Sequence, residues 1–124
     1  MTEEPSTRRY LAVYLPYLPA ERALRAHAAP RDAPFALTVK VGGALRVSAV
    51  DRSAHALGIV AGLTLSAACA RIPGLAAIDH SITADLALLE WLADACDRYS
   101  PSVATDPPQG IVLDITGCVH PYGD

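Results

Sequence analysis

A short apolar run that ends at a proline is the feature that most constrains the fold of this chain. Residues 9–15 (RYLAVYL) are apolar at both odd and even positions, and Pro16 follows directly. A run without polar alternation is typical of a strand covered on both faces of its sheet. Proline cannot donate a hydrogen bond to a neighbouring strand, so the strand ends there. The sequence therefore predicts a central, buried β-strand near the N-terminus.

The remaining segments alternate between β-rich and helical patterns. Gly42-Gly43 separates two β-rich runs and tolerates the positive φ angles of a tight turn, so we predict a hairpin. Gly58 ends one short helix and Thr64 begins another. The predicted order begins with a strand (residues 9–15), a helix (19–28), a hairpin (35–50) and two short helices (51–74). It continues with a strand (75–79), a long helix (81–99), a proline-rich loop (100–110) and a last strand (111–116). This order favours an α+β fold with helices packed on one face of a sheet.

The long helix carries an apolar stripe at helical spacing. Ser81 or Thr83 is expected to cap its start. The stripe consists of Leu86, Leu89, Ala93 and Cys96. The acids beside it are expected to face water: Asp85, Glu90, Asp94 and Asp97. Trp91 is expected to be a partly buried packing residue and not a platform for a ligand.

Composition narrows the function classes without selecting one. The net charge is −3 and Lys40 is the single lysine beside the arginines, so the chain lacks the overall basic excess of a broad DNA-binding surface. Cys69, Cys96 and Cys118 lack the close pairing of a zinc or redox site and indicate reduced thiols in a cytosolic protein. No secretion signal and no apolar run of about 20 residues is present. We therefore expect a cytoplasmic location and no membrane contact.

The common signatures of phosphate chemistry are absent from the sequence. Neither GxxxxGK[ST] nor GxGxxG occurs, and a site with two metals about 3.5–4 Å apart needs two or three carboxylates at the ends of adjacent strands. Residues 9–15 hold no acid, and the last strand holds only Asp114. Asp114 has two interpretations: a metal ligand, or a strand-end residue that hydrogen-bonds the backbone near Thr116. Asp106 is expected to be solvated, and no cofactor is predicted.

The histidines give no catalytic signature. They are scattered at His27, His55, His80 and His120, without the HExxH spacing of a zinc site. No GxSxG motif is present either. A Ser/His/Asp or Cys/His site stays open, because such sites assemble in space and not in sequence.

Three segments, in order, resemble the N-terminal half of Y-family (translesion, UmuC/DinB-like) DNA polymerases over residues 9–122. The first is RYLAVYLPYLPAERAL. It is similar to the opening palm strand and helix of that family, in which active members carry an Asp-x-Asp pair. On that resemblance the two acids fall on Val13 and Leu15. Tyr17 occupies an aromatic position near the sugar of the incoming nucleotide.

The second and third segments resemble the fingers and a later palm strand. The second is RVSAVDRSAHALGIVAGLTLSAACARIPGL, where the positions that touch the nucleotide triphosphate fall on Arg52 and His55. The third is DPPQGIVLDITGCVHPYG, where the catalytic Asp-Glu pair falls on Gln109 and Gly110. The resemblance thus implies a polymerase frame from which every metal-holding carboxylate is missing.

The resemblance implies a domain plan. The fold would be a partial polymerase palm, a ferredoxin-like mixed sheet with helices on one face, with a small fingers-like insertion. The expected parts are a disordered N-terminus (residues 1–8), the first palm strand and helix (9–34), the fingers-like insertion (35–74), and a palm continuation that is cut at the C-terminus (75–124). A cut palm would leave a sheet edge and apolar surface exposed.

The combination of retained frame and lost acids is similar to the catalytically inactive ImuB-type branch of the family. It implies a pseudoenzyme that acts as an adaptor in DNA-damage-induced (SOS) translesion synthesis and mutagenesis. The implied partners are a RecA-like protein, the sliding clamp and an error-prone replicative-type polymerase, bound through later domains, and DNA, bound weakly without those domains. The nucleotide- or DNA-facing candidates are Tyr17, Arg46, Arg52, His55 and Arg71.

Two alternatives stay open. The chain could be an active metal-dependent nucleotidyltransferase that uses Asp106 and Asp114. It could also be a non-enzymatic α+β binding module unrelated to DNA. Metal binding would distinguish the nucleotidyltransferase from the adaptor. Salt-dependent DNA binding would distinguish the adaptor from a module unrelated to DNA.

Overall fold

The computed structural model describes residues 8–98, 100 and 102–116, which form an α+β structure as the sequence predicts. Its elements in chain order are β1 (Tyr10–Tyr14), α1 (Leu18–Arg25), β2 (Phe35–Val41), β3 (Ala44–Val50), α2 (Arg52–Ala56), α3 (Leu65–Arg71), β4 (Ala76–Asp79), α4 (Ile82–Cys96), β5 (Val103–Asp106) and β6 (Gly110–Asp114). Among these helices, none has the length and apolar character needed to cross a bilayer. The expected frayed N-terminus, apart from Arg8, and the expectations for Cys118 and His120 lie outside the described residues.

The chain divides into two compact units. One comprises residues 1–16 and 86–124, and the other comprises residues 17–85. The first unit contains an antiparallel sheet in the order β1-β6-β5. In its register Val13 lies opposite Ile111, and Tyr14 lies opposite Gly110. The two ends of the described chain therefore meet in one sheet.

Residues 17–85 form a mixed sheet in the order β3-β2-β4. The β2–β3 hairpin turns at Gly42-Gly43, where φ angles of 58° and 86° confirm the predicted tight turn. β4 pairs in parallel with β2 after the chain crosses through α2 and α3. Because side chains alternate along β2, Ala36 packs in a cluster with side chains of α2 and α3, while Phe35 packs with side chains of α1.

Polar side chains fix the starts of three helices. Thr64 accepts a hydrogen bond from the backbone N–H of Ala67 at 3.1 Å, which confirms the predicted start of α3. Ser81 accepts one from Ala84 at 3.2 Å, as expected for α4. Asp51 caps α2 through Ala54, at 2.9 Å. These caps satisfy N–H groups that have no partner within the helix.

The prediction of a central, buried first strand is wrong for the described structure. β1 pairs only with β6 and lies at the edge of its sheet. Tyr10 and Tyr14 are 61% and 68% exposed, and Leu11 is 48% exposed. The buried strand of this sheet is β6, in which both Ile111 and Leu113 are buried. An apolar pattern shows what a strand can bury, whereas its pairing partners decide what it does bury.

The segment predicted as a proline-rich loop contains a strand. Val103–Asp106 forms β5 and pairs antiparallel with β6 across a tight turn at Pro107-Pro108. The segment contains three prolines, but Pro107 and Pro108 lie in the turn, where no ladder hydrogen bond is needed. The four residues before them, VATD, alternate half-buried and exposed side chains as an edge strand does.

Asp85 does not face water as predicted. It lies one turn before Leu89 on the buried face of α4, and its side chain is 7% exposed. The Nε of Arg22 donates to its Oδ1 at 2.6 Å, and the Nε2 of His80 lies 2.5 Å from its Oδ2. The Nδ1 of His80 in turn lies 2.6 Å from the Oγ of Ser48. A buried carboxylate is tolerated here because two partners from other segments satisfy both of its oxygens.

We predict that Asp85→Asn lowers the free energy of unfolding by about 3 kcal/mol, because it leaves the half-buried Arg22 guanidinium without its counter-charge. Urea unfolding followed by circular dichroism measures the change. The control is Asp94→Asn, an exposed position on the same helix, where a change within about 0.5 kcal/mol is expected. Equal effects of the two substitutions would show that the buried network contributes nothing.

Asp114 closes the far end of the β1–β6 pair. Its Oδ1 accepts from the backbone N–H of Thr116 at 2.9 Å, and its Oδ2 accepts from Arg8 at 2.8 Å. The interpretation of Asp114 as a strand-end residue bonded to local backbone is therefore confirmed. Hydrogen bonds from Thr116 hold the pKa of Asp114 below its ordinary value; burial opposes this shift and Arg8 adds to it.

This lowered pKa gives a pH signature. A carboxyl group with a depressed folded-state pKa stabilises the fold above its unfolded-state pKa of about 4, and the stabilisation is lost as the pH falls through the folded-state value. We therefore expect Asp114→Asn to reduce the unfolding free energy at neutral pH. The difference from wild type should shrink below about pH 4. Urea unfolding between pH 7 and pH 3 measures it, and a difference that stays constant with pH contradicts the assignment.

Candidate functional site

The four positions at which the resemblance expects metal-holding acids, Val13, Leu15, Gln109 and Gly110, lie together at one end of the β1–β6 pair. Val13 is opposite Ile111 in the register, one position from Gly110. Just beyond β1, the backbone N–H of Leu15 donates to the carbonyl of Gln109 at 2.8 Å. Positions on adjacent strand ends are the arrangement from which carboxylates can bridge two metals. The backbone pairing thus brings these positions to one strand end, but none of the four side chains is an acid.

The chain itself occupies this strand end. The side-chain amide of Gln109 donates to the carbonyl of Pro16 at 3.2 Å, which ties the β5–β6 turn to the segment after β1. Gly110 is buried, and a Cβ there would lie 3.0 Å from the carbonyl oxygen of Asp106. A side chain at position 110 would therefore require the β5–β6 hairpin to shift.

The alternative metal pair, Asp106 and Asp114, is separated along the sheet. Asp106 is opposite Gly110 in the register, whereas Asp114 is opposite Tyr10 at the other end of β6. Four strand residues correspond to about 13 Å, well beyond the 3.5–4 Å that separates paired metals. Within the described part of the chain, no group of three or more His, Cys, Asp or Glu side chains could hold a metal ion.

Three of the nucleotide-facing candidates meet in residues 17–85. The hydroxyl of Tyr17 lies 3.0 Å from Nδ1 of His55, and their ring centroids are 6.1 Å apart. The guanidinium of Arg52 lies over the Tyr17 ring, 4.9 Å from its centroid. We call these three residues the Tyr17 cluster. It combines a cation, an aromatic face and an imidazole, the groups that suit a phosphate and a sugar or base.

The other two candidates brace a loop. Arg46 donates to the carbonyl of Gly62 at 2.9 Å, and Arg71 donates to that of Gly58 at 3.2 Å. Both are exposed. Gly58 itself has a φ of 92°, and a Cβ there would come within 2.7 Å of the Arg71 guanidinium. Each arginine thus holds the loop between α2 and α3 through one N–H, and its other donors are left for solvent or a ligand.

Charged residues are distributed unevenly along the sequence, and the net charge of the whole chain does not show this. Residues 35–74 contain Lys40 and three arginines, but the single acid Asp51, which caps α2. Residues 75–124 contain eight acids and the single cation Arg98. A polyanion is therefore attracted locally to the first segment and repelled by the second.

A Ser/His/Asp chain does assemble in space, from Ser48, His80 and Asp85. No sequence pattern indicates this chain, because its three residues come from β3, from the segment after β4 and from α4. The Ser48 hydroxyl also lies 3.2 Å from the carbonyl of Leu37 on the neighbouring strand, and Arg22 neutralises Asp85. This arrangement suits a structural network, since the hydroxyl is half-buried between strands.

Comparison with protein-family models gives no match. Among curated proteins, the chain is similar to Protein ImuB of two strains of Caulobacter vibrioides, NA1000 / CB15N and ATCC 19089 / CIP 103742 / CB 15. Each is 45% identical over 67 residues, which is 54% of this chain. The matched stretch spans only 15% of ImuB.

Solved structures share the fold over most of the chain. A post-insertion binary complex of Dbh DNA polymerase superposes with a TM-score of 0.74 at 18% identity, and covers 86% of this chain and 31% of that one. A Y-family DNA polymerase chimera of Dbh and Dpo4 gives 0.77 at 15% identity, over 87% and 32%. DinB from Sulfolobus solfataricus gives 0.68 at 15% identity, over 85% and 30%. The chain spans about a third of these polymerases, and its mixed α+β fold is that of the palm-like part of a Y-family DNA polymerase.

Proposed function

We propose that the chain belongs to a non-catalytic, polymerase-like subunit that acts as an adaptor in DNA-damage-induced translesion synthesis. One observation carries the proposal: the strand ends that would present metal-binding acids are correctly juxtaposed, yet they present Val13, Leu15, Gln109 and Gly110. The similarity to ImuB and the shared polymerase fold support the same conclusion. In this proposal the polymerase-like fold is retained, whereas the metal-dependent transfer reaction is lost.

The proposed absence of metal-binding carboxylates rules out nucleotidyl transfer on physical grounds. Nucleotidyl transfer relies on two metal ions to neutralise the triphosphate and to stabilise the attacking and leaving oxygens. The amide of Gln109 is already bonded to Pro16, and Gly110 offers no ligand. Asp106 alone cannot hold two divalent ions close together. The site therefore supports binding or scaffolding, and not transfer.

DNA is the proposed nucleic-acid partner. The Tyr17 cluster and the excess of cations in residues 35–74 suit phosphate, while the acid-rich residues 75–124 oppose it, so we expect weak binding by this chain. The sliding clamp, a RecA-like protein and an error-prone polymerase remain proposed partners of the whole protein. We infer a cytoplasmic location, because such partners act on bacterial DNA there.

We predict that the chain does not bind Mg²⁺ or Mn²⁺ in a triphosphate-dependent way. Isothermal titration with each ion, with and without dATP, measures this. Because the four strand-end positions lack carboxylates, no heat beyond weak ion association is expected. Asp106→Asn serves as the control for weak association at the one nearby acid. Tight, triphosphate-dependent binding, or metal-dependent primer extension by the whole protein, would refute the non-catalytic assignment.

We also predict weak, salt-sensitive binding of DNA through residues 35–74. Fluorescence anisotropy with a primer–template duplex at several salt concentrations gives the slope of log K against log salt. Arg52→Ala should reduce the magnitude of that slope by about 1, since one phosphate contact is lost. Arg31→Ala, an exposed change outside this segment, should leave it unchanged. DNA binding that is absent at low salt would favour a binding module unrelated to DNA.

A further inference from the structure

A groove lies between the β2–β3 hairpin and α3, within the unit of residues 17–85. We call it the hairpin groove. Its volume is about 740 Å³, and cavities that bind ligands measure roughly 300–1,000 Å³. The lining includes Lys40, Leu45, Thr64, Leu65, Ser66 and Cys69. The groove therefore has room for more than one large side chain.

The hairpin groove exists because α3 covers only part of the sheet face on which it packs. Along β3, Val47 is buried and belongs to one core cluster with Ala68 of α3. Leu45 is two residues closer to the turn, so its side chain points to the same face, yet it is 43% exposed. Lys40 lies opposite Leu45 in the register and is exposed too. The groove is thus a continuation of this core that α3 leaves open.

The lining combines apolar surface with a positive charge. Leu65 and Cys69 of α3 are half-buried, and Leu45 of β3 adds a third apolar side chain. Among the described residues that line the groove, Lys40 is the one that carries a charge. A matching occupant therefore brings apolar side chains to the groove and a carboxylate to its lysine.

The chain around the groove has the same sign of charge. Residues 35–74 contain four cations and the single acid Asp51. Asp51 follows the end of β3 that lies away from the turn, and it caps α2 there. By contrast, Arg46 pairs through its backbone with Thr64, a residue of the lining. An acidic segment is therefore attracted to this part of the molecule, whereas a basic segment is repelled.

We propose that the hairpin groove binds an acidic segment of a partner protein, which inserts large apolar side chains between the hairpin and α3. The apolar lining favours a protein over DNA, because most contacts to DNA are made to phosphate and sugar. Apolar side chains that fill a pocket supply most of the binding energy at protein interfaces. Lys40 selects the sign of the partner's charge and raises the association rate.

This inference goes beyond the proposed function and can fail separately from it. The vacant strand-end positions Val13, Leu15, Gln109 and Gly110 belong to the other unit. Triphosphate-dependent metal binding would therefore refute the non-catalytic assignment and leave the groove untouched. Failure of peptides to bind would remove the groove and leave that assignment intact.

The first test selects peptides from a phage-displayed random library on the 124-residue chain. Selected peptides should combine Leu, Phe or Trp with Asp or Glu. The tightest is compared with two derivatives, one with amides in place of its acids and one with Ala in place of its large apolar residues. Each derivative should bind about tenfold more weakly, because charge-assisted contacts or apolar burial are lost. Basic peptides, or no enriched peptide, would overturn the proposal.

Two free cysteines locate the bound peptide. Cys69 lines the groove, Cys96 ends α4, and both are half-buried. The selected peptide should slow alkylation of Cys69 by N-ethylmaleimide severalfold, because it covers the thiol, and should leave Cys96 unchanged. Mass spectrometry of the digested protein measures both rates. Protection of both cysteines, or of neither, would contradict a peptide in the groove.

Substitutions at two exposed positions have matched controls. Lys40→Glu should weaken the peptide more than about tenfold through repulsion, whereas Arg31→Glu, the same change of charge outside the groove, should not. Leu45→Ala should weaken it about tenfold through lost burial, whereas Val60→Ala, at an exposed position of the α2–α3 loop, should not. Equal losses within either pair would overturn the proposal.

Other occupants of the groove give different results in the same alkylation experiment. Oligo-dT that protects Cys69 as strongly as the peptide would show a nucleic-acid surface. Protection of Cys69 that grows with the concentration of the chain alone would show that a second copy covers the groove. Either result would overturn the proposal.

Discussion

The antiparallel pairing of β1 with β6 is the contact on which the rest of the first unit depends. It joins residues about 100 positions apart and sets their register through Tyr10 opposite Asp114 and Tyr14 opposite Gly110. One end of the pair is closed by Asp114 with Arg8, and the other by Gln109 with Pro16. Without this register Val13, Leu15, Gln109 and Gly110 would not share a strand end.

The other unit is held by a different kind of interaction. Its sheet is covered on both sides by alanine-rich helices, which bury little apolar area per residue. Asp85 joins α1 to the start of α4 through Arg22, and His80 and Ser48 extend this network to β3. Buried ion pairs seldom add much net stability, but they penalise any packing that separates the partners. The network therefore specifies how α1 and the first turn of α4 pack against this sheet.

Sequence patterns predicted the elements better than their surroundings. The Gly42-Gly43 hairpin, the Thr64 cap and the short strand at Ala76–Asp79 follow from local chemistry, which short segments carry in full. The exposure of β1 and the burial of Asp85 depend on distant partners, which periodicity does not contain. The sequence does not predict β5, because the prolines that follow its four residues dominate the local pattern.

For the candidate site, the sequence indicates residue types but not their geometry. The resemblance placed Tyr17, Arg52 and His55 in one functional class, but only the structure shows that Tyr17 contacts both of the others. The acid at this strand end, Asp106, comes from outside the positions that the resemblance identifies, and it lies opposite Gly110 in the register of β5 with β6. Strand pairing thus brings to this end of the sheet a carboxylate that no motif marks. Local patterns indicate which residue types a site can contain, whereas the pairing of strands decides which of them meet.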